Sequence, residues 1–288
     1  MSGLPFLKVQ SIGNHFPLVF LSDVAAGQVD GADLTPVLAK LAVDLCREHF
    51  GVGGDGLLAL GQEGADLRLR MFNPDGTEDF CGNGLRCAAW VAHQKGWVGE
   101  SFVIQHQGRS VPCSVKGDTV LTTLGLASYD PADVPHTGWG EWFNLSIWQG
   151  MDGGVPVNLF GSALTTGSTH VILPTFGLPD DEIFASISPK IENDARFPQR
   201  TSVIWTAEVE PGVLQVRIWE RGVGETFGCG TGSSAAAADY MRRRDRGGPI
   251  EVRNPGGTVR VLAQAWNKPL TLEGTAQVVF AGMWLERG

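Results

Sequence analysis

Two periodicities of apolar and polar positions alternate along this chain, and their order divides it into two similar halves. PFLKVQSIG and PLVFLSDVA, on either side of Gly13-Asn14, are rich in apolar and β-branched residues and predict two strands joined by a loop. LTPVLAKLAVDLCREHF, residues 34 to 50, places its apolar residues at helical spacing behind Asp33, the predicted N-cap. GVGGDGLLAL then predicts a glycine loop feeding a strand, and DLRLRMFN alternates as a further strand. LRCAAWVAHQKG has helical spacing and a stop at Gly96. SFVIQHQ, SVPCSVKG and TVLTTLG predict three strands after it.

Residues 126 to 145, with Pro131, Pro135 and several glycines, form a boundary, after which the plan repeats. VNLFGSA and HVILP predict strands, and DDEIFASISPKIEND a helix interrupted near Pro189. TSVIWTAEV and LQVRIWER alternate as strands, and Cys229 opens the helix GSSAAAADYMRRR. EVRNPGG, VRVLAQAW and AQVVFAGMWLE close the chain as strands. Each half thus runs strands, Cys-Gly-X-Gly, helix, strands, a symmetry at the scale of a domain.

Composition narrows the classes. The apolar share of 43% and charged share of 18% in 288 residues predict folded cores, in one large domain or two ordinary ones. A net charge of −9 argues against a nucleic-acid partner. Arg242, Arg243, Arg244 and Arg246 are expected as a solvated helix C-terminus that complements the dipole. MSGLPFLKVQ lacks the pattern of an export signal, and no apolar run approaches the ~18 residues of a membrane span, so a cytoplasmic protein with no membrane partner is expected. Five cysteines without scaffold spacing predict reduced thiols.

The chemistry is expected at two of these thiols. Cys81 in DFCGNGLRCAAW and Cys229 in TFGCGTGSSAAAA each stand immediately before a helix, where the dipole and unpaired N–H groups favour thiolate. The glycines allow close backbone approach, and the first-turn N–H groups suit a carboxylate. One such site would fit a nucleophile. Two suit an enzyme that removes a proton from one face of a carbon and returns one to the other. Cys46, Cys87 and Cys113 are expected to be buried structural residues. Without a Cys-x-x-Cys or a His pair at ligand spacing, no metal is expected, and thiol–disulfide exchange is a weak alternative.

FNPDGTEDFCGNGLRCAAWV and WERGVGETFGCGTGSSAAAA resemble the two cysteine motifs of the diaminopimelate epimerase family. The resemblance extends to SIGNHF, HFGVGGDGLLAL, GSTH at 167 to 170 and RFPQRTS, in the family's order over nearly the whole chain. It implies an α/β (α+β) fold of two pseudo-symmetric domains, each a β-barrel-like sheet wrapped around a central helix, with the site in the interdomain cleft. The last strand would return to the first domain, so that residues 1–126 and 275–288 form one and residues 127–274 the other. The implied activity is cofactor-independent inversion of an amino-acid α-carbon by Cys81 and Cys229, with His170 and Glu220 tuning them. Asn14, Asn73, Gly82, Asn83, Gly230 and Thr231 match substrate-contacting positions, and Arg221 would meet the far end of the substrate. A homodimer is expected by the same analogy.

Two positions depart from the family pattern where it holds the distal end of the substrate. Ser168 stands in GSTH where the family has Gly-Asn-Pro-His, and Ser202 replaces a second asparagine; in the family both hold the distal end of the substrate. His15 also replaces an aspartate. Diaminopimelate is the leading expected substrate. A different amino acid on the same fold, and a homologue that binds without turnover, are the alternatives.

Overall fold

The computed structural model describes residues 3–285 apart from 27, 30, 64, 65, 153 and 154. Chain contacts divide it into two compact units, Met1–Thr122 with Gly274–Gly288, and Thr123–Glu273. The first contains β1 (Leu4–Ser11), β2 (Asn14–Phe20), α1 (Leu21–Ala25), α2 (Thr35–Cys46), β3 (Leu57–Glu63), β4 (Asp66–Phe72), α3 (Gly82–Gln94), β5 (Ser101–His106), β6 (Arg109–Lys116) and the start of β7 (Thr119–Gly125). The second contains β8 (Leu145–Asp152), β9 (Val155–Thr165), β10 (Thr169–Thr175), α4 (Asp181–Glu192), β11 (Ser202–Glu210), β12 (Val213–Glu220), β13 (Gly224–Thr226), α5 (Gly230–Arg244), β14 (Ile250–Asn254), β15 (Gly257–Leu262) and most of β16 (Leu270–Thr275). The chain then returns to the first unit as β17 (Gln277–Trp284), which pairs antiparallel with β1.

The repeat is carried by the ladders. From β2 through β7 the successive pairings are parallel, antiparallel, parallel, antiparallel and antiparallel. From β10 through β12, β14, β15 and β16 the order is the same. Parallel neighbours need a crossover, and helices supply it at matching places: α1 and α2 or α4 at the first parallel step, α3 or α5 at the second.

Each unit wraps its strands around its second-crossover helix. Cys87, Ala88, Ala89 and Ala92 of α3 are fully buried, as are Ala235, Ala237 and Ala238 of α5. Small side chains on every face let the surrounding strands come close. Along β3 the period of two sorts residues between two cores: Leu58 and Leu60 pack with Leu85 and Val91 of α3, while Leu57 and Ala59 pack with Leu38, Ala42 and Leu45 of α2. A leucine buried in this way stabilises the fold by about 1.5–3 kcal/mol. In the second unit Val203 and Trp205 of β11 meet Phe184, Ile187 and Ile191 of α4.

Several local expectations change. LSDVA is the short helix α1 and not the end of a strand, because the chain must leave β2 to begin its crossover. The helix predicted over residues 34 to 50 stops at Cys46 and turns. Asp33 does not cap it as predicted: its carboxylate accepts from the Thr35 N–H and hydroxyl, and Leu34 stands at the N-cap. Pro189 does not interrupt α4, which runs on to Glu192; the proline sits in the last turn and its carbonyl accepts from the Asn193 backbone and side chain. β15 ends at Leu262, short of AQAW, and β8, β13 and β16 are strands that apolar periodicity alone did not predict. Glu286, the last residue of the predicted AQVVFAGMWLE strand, lies outside the described residues.

The arginine run is not simply solvated. Arg242 lies 4.3, 4.2 and 4.6 Å from the ring centres of Tyr129, Phe143 and Trp266 and pairs with Glu141, while Arg243 pairs with Asp239. The three rings clasp a cation that composition alone would leave in water. Among the described residues no helix is long and apolar enough to cross a membrane.

Candidate active site

Each unit begins its enclosed helix with a cysteine. Cys81 is the N-cap of α3 in extended backbone (φ −135°, ψ 113°), and its Sγ accepts the Gly84 N–H at 3.3 Å. Cys229 caps α5 with φ −130° and ψ 116°, and its Sγ accepts the Gly232 N–H at 3.3 Å. Serine, threonine, aspartate and asparagine are the usual caps; sulfur in that place lies over the first turn, where helix charge and N–H donors favour thiolate. The third residue after each cysteine must be small. A Cβ on Gly84 would stand 2.7 Å from Leu58 Cδ2 of β3, and one on Gly232 would stand 2.9 Å from Ile204 Cδ1 of β11. These strands hold the same place in the two ladders.

Among the described residues the cysteines form no disulfide. Burial pushes the Cys46 and Cys113 thiols up to about 12, and the Cys87 thiol upward as well, so these three stay protonated at neutral pH. Cys81 is part-exposed, and Cys229 is 7% exposed.

Around Cys81 the side chains present an acceptor. Asp55 accepts from Asn14 Nδ2 at 2.6 Å and from the His15 N–H at 2.7 Å. That contact fixes the amide of Asn14, because a carboxylate requires its nitrogen side. Oδ1 of Asn14 is thereby turned toward Cys81 Sγ (4.0 Å) and accepts from Asn83 Nδ2 at 3.4 Å. The fully buried Arg86, one helical turn after Asn83, donates to Asn83 Oδ1 and, through Nε, to Ser11 Oγ at 3.1 Å. His106 Nε2 accepts the Cys81 N–H at 3.1 Å while Nδ1 meets the Leu69 carbonyl at 3.1 Å, which sets the Nδ1–H tautomer. Burial lowers the pKa of His106 to about 4, and the ring is neutral at physiological pH. Asn73 is turned into its own loop: its N–H bonds the Thr77 carbonyl and its Nδ2 the Thr77 hydroxyl at 3.0 Å.

Around Cys229 the neighbours are hydroxyls. Thr231 Oγ1 lies 3.3 Å from Cys229 Sγ and 3.1 Å from Ser168 Oγ, which lies 3.0 Å from His170 Nε2. The Thr231 carbonyl accepts from Thr166 Oγ1 at 2.8 Å. His170, at the start of β10, is fully buried; burial first, and Arg221 second, push its pKa down to about 3. Ser202 is its register partner on β11 and accepts the Arg221 N–H at 3.1 Å. Arg221 Nη1 donates to the Gln199 carbonyl, and Glu220 accepts from Thr226 Oγ1 at 2.7 Å.

Within the first unit, then, Asn14, Gly82 and Asn83 gather at Cys81, with Asn73 bonded elsewhere. Within the second, Ser168, His170, Gly230 and Thr231 gather at Cys229, and Ser202 joins Arg221. Asp55, Arg86, His106 and Thr166 were not expected from sequence. GGDG marked a loop around Asp55, and the spacing of Asn83 and Arg86 was the available sign of their pairing. Among the described residues no group of three or more His, Cys, Asp or Glu side chains is placed to hold a metal. The arrangement supplies two capped thiols, one beside a fixed amide acceptor and one beside a hydroxyl chain.

The diaminopimelate epimerase family model matches residues 13–129 and 162–279, one stretch around each cysteine. The diaminopimelate epimerase of Xylella fastidiosa (strain M23) is 33% identical, covering 98% of this chain and 96% of its own. That of Methanothrix thermoacetophila is 34% identical over the same shares. In fold, the chain is similar to the Bacillus anthracis phenazine biosynthesis protein of the PhzF family, with a TM-score of 0.65, 18% identity, and coverage of 99% and 100%. With both thiol-capped helices inside the matched stretches and full-length relatives above 30% identity, this chain belongs to the diaminopimelate epimerase family.

Proposed function

We propose that this isomerase interconverts LL- and meso-diaminopimelate by moving protons with two thiols and no cofactor. The observation that carries the reading is the duplicate cap: two cysteines with the same backbone angles, each accepting the N–H three residues on. One sulfur, as thiolate, takes the α-proton and becomes a thiol. The other, as thiol, delivers a proton to the opposite face of the same carbon and becomes the thiolate. Charge and protons balance, and the reverse reaction exchanges the roles. The N–H groups of Gly82, Asn83, Gly230 and Thr231 at the helix starts are suited to the α-carboxylate and to charge developing on it. Asn73 and Arg221 would meet polar groups of the substrate farther from the reacting carbon, and Glu220 would support the thiol chemistry. The reading includes a reducing, cytoplasmic setting, which would keep both sulfurs available as thiol and thiolate, and a homodimer, to be checked by sedimentation.

A second reading keeps the chemistry and changes the substrate. Ser202 Oγ already accepts the Arg221 N–H, and Ser168 Oγ is engaged with His170 and Thr231. Both departures from the family pattern are thus built into the protein's own hydrogen bonding, which favours a different distal group.

The test is α-proton exchange in deuterated water, followed by proton NMR under reducing conditions, across diaminopimelate stereoisomers and common amino acids. Exchange and inversion of diaminopimelate are expected, and Cys81→Ala and Cys229→Ala should each lower inversion by about 10²–10⁴-fold. Normal inversion in either variant would overturn the two-thiol mechanism. Exchange confined to another amino acid would select the second reading. Binding without exchange of any compound would overturn both.

A further inference from the structure

The hydroxyls beside Cys229 form a continuous chain from a buried imidazole to the sulfur: His170 Nε2, Ser168 Oγ at 3.0 Å, Thr231 Oγ1 at 3.1 Å, Cys229 Sγ at 3.3 Å. Every side chain but Ser168 in this chain is at least nine-tenths buried. The hydroxyls could point either way, and the imidazole decides. Among the described residues His170 Nδ1 has no hydrogen-bond partner and no exposure. A buried N–H without an acceptor is costlier than a lone pair without a donor, so the proton of the neutral ring belongs on Nε2. Nε2–H then donates to Ser168, the Ser168 hydroxyl to Thr231, and the Thr231 hydroxyl to the sulfur. Together with the Gly232 N–H, two donors converge on Cys229 Sγ.

We propose that Ser168 is a positioning residue for Cys229: it couples His170 to Thr231 so that the hydroxyl chain donates toward the sulfur and favours its thiolate, and it does not hold the substrate. One of the residues in which this chain departs from the family pattern would therefore serve the reacting centre and not the far end of the substrate. Cys81 Sγ lies 4.0 Å from the Asn14 carbonyl oxygen, an acceptor that favours S–H. Cys229 is then the base of the resting protein and Cys81 the acid. This rests on the two-thiol reading, but its first test does not.

That test is the rate of alkylation of Cys229 by iodoacetamide in the substrate-free, full-length protein at neutral pH, measured by peptide mass spectrometry, with Cys81 in the same sample as internal reference. Ser168→Ala should slow Cys229 labelling about tenfold, equivalent to about one unit of thiol pKa, and leave the Cys81 rate unchanged. Ser168→Thr, which keeps the hydroxyl, should restore it. In turnover with the substrate found by exchange, Ser168→Ala should lower kcat with KM within about twofold. An unchanged Cys229 rate in Ser168→Ala, or a raised KM with unchanged kcat, would overturn the proposal and return Ser168 to substrate binding. A Cys229 rate that falls in Ser168→Ala and recovers in Ser168→Thr would uphold the hydroxyl chain even if Cys229→Ala kept normal inversion, a result that would sink only the two-thiol reading.

Discussion

Asp55 shows how a residue that touches no sulfur can govern one. Its carboxylate holds the nitrogen side of the Asn14 amide and so aims the oxygen at Cys81. Asp55→Asn removes the requirement for that orientation, since a neutral amide accepts or donates equally well. Inversion should fall about tenfold with Cys229 alkylation unchanged, and Asp55→Glu should recover part of the loss; equal activity in Asp55→Asn would show that the orientation has no bearing on the chemistry. The cysteines and glycines of this site were legible in the sequence because each motif is local and written twice. Asp55, His106 and the bonds of Ser168 were not, because the fold brings them together from separate stretches of the chain and no short-range pattern encodes that; Arg86 was signalled only by its place three residues after Asn83. His170 illustrates the limit: GSTH marked it, but its link to Cys229 runs through the hydroxyls of Ser168 and Thr231, which the motif alone does not connect.

At the level of elements, the two enclosed helices depend on close approach to one strand each. Gly84→Ala would put a methyl 2.7 Å from Leu58 Cδ2, and Gly232→Ala one 2.9 Å from Ile204 Cδ1. Each should destabilise its unit by about 1–3 kcal/mol and loosen the N–H to sulfur contact. Urea unfolding is the check, and Gly84→Ala combined with Leu58→Val should recover part of the lost stability. No loss in either single variant would mean the strand yields more than its packing implies. Most strands and all the long helices were legible because the period changes cleanly between them. LSDVA was not, since five residues are too few to display a helical period, and β16 was hidden because LTLEGT carries too few apolar residues to stand out.

For the whole molecule, each unit buries a neutral imidazole beside its thiol helix, and acid should therefore weaken both. His106 and His170 have folded pKa values near 4 and 3, below the ordinary 6.5. Between 6.5 and 4 the unfolded chain takes up protons that the folded chain refuses, so stability falls as pH falls, by about 1.4 kcal/mol per pH unit for each histidine. Above 6.5 neither contributes a slope, and the share from His106 levels off below 4. Unfolding midpoints measured across this window should show the slope, and His106→Gln should make it shallower; a flat profile in the unaltered protein would contradict neutral burial. The differing company of the two sulfurs has one further consequence. A forward and a reverse turnover cross the same barrier, and the equilibrium between stereoisomers belongs to the molecules in solution. A change near either sulfur must therefore alter kcat/KM by the same factor in both directions. The unequal halves can set how fast the two isomers exchange, but no substitution at either sulfur can turn this protein into a one-way valve.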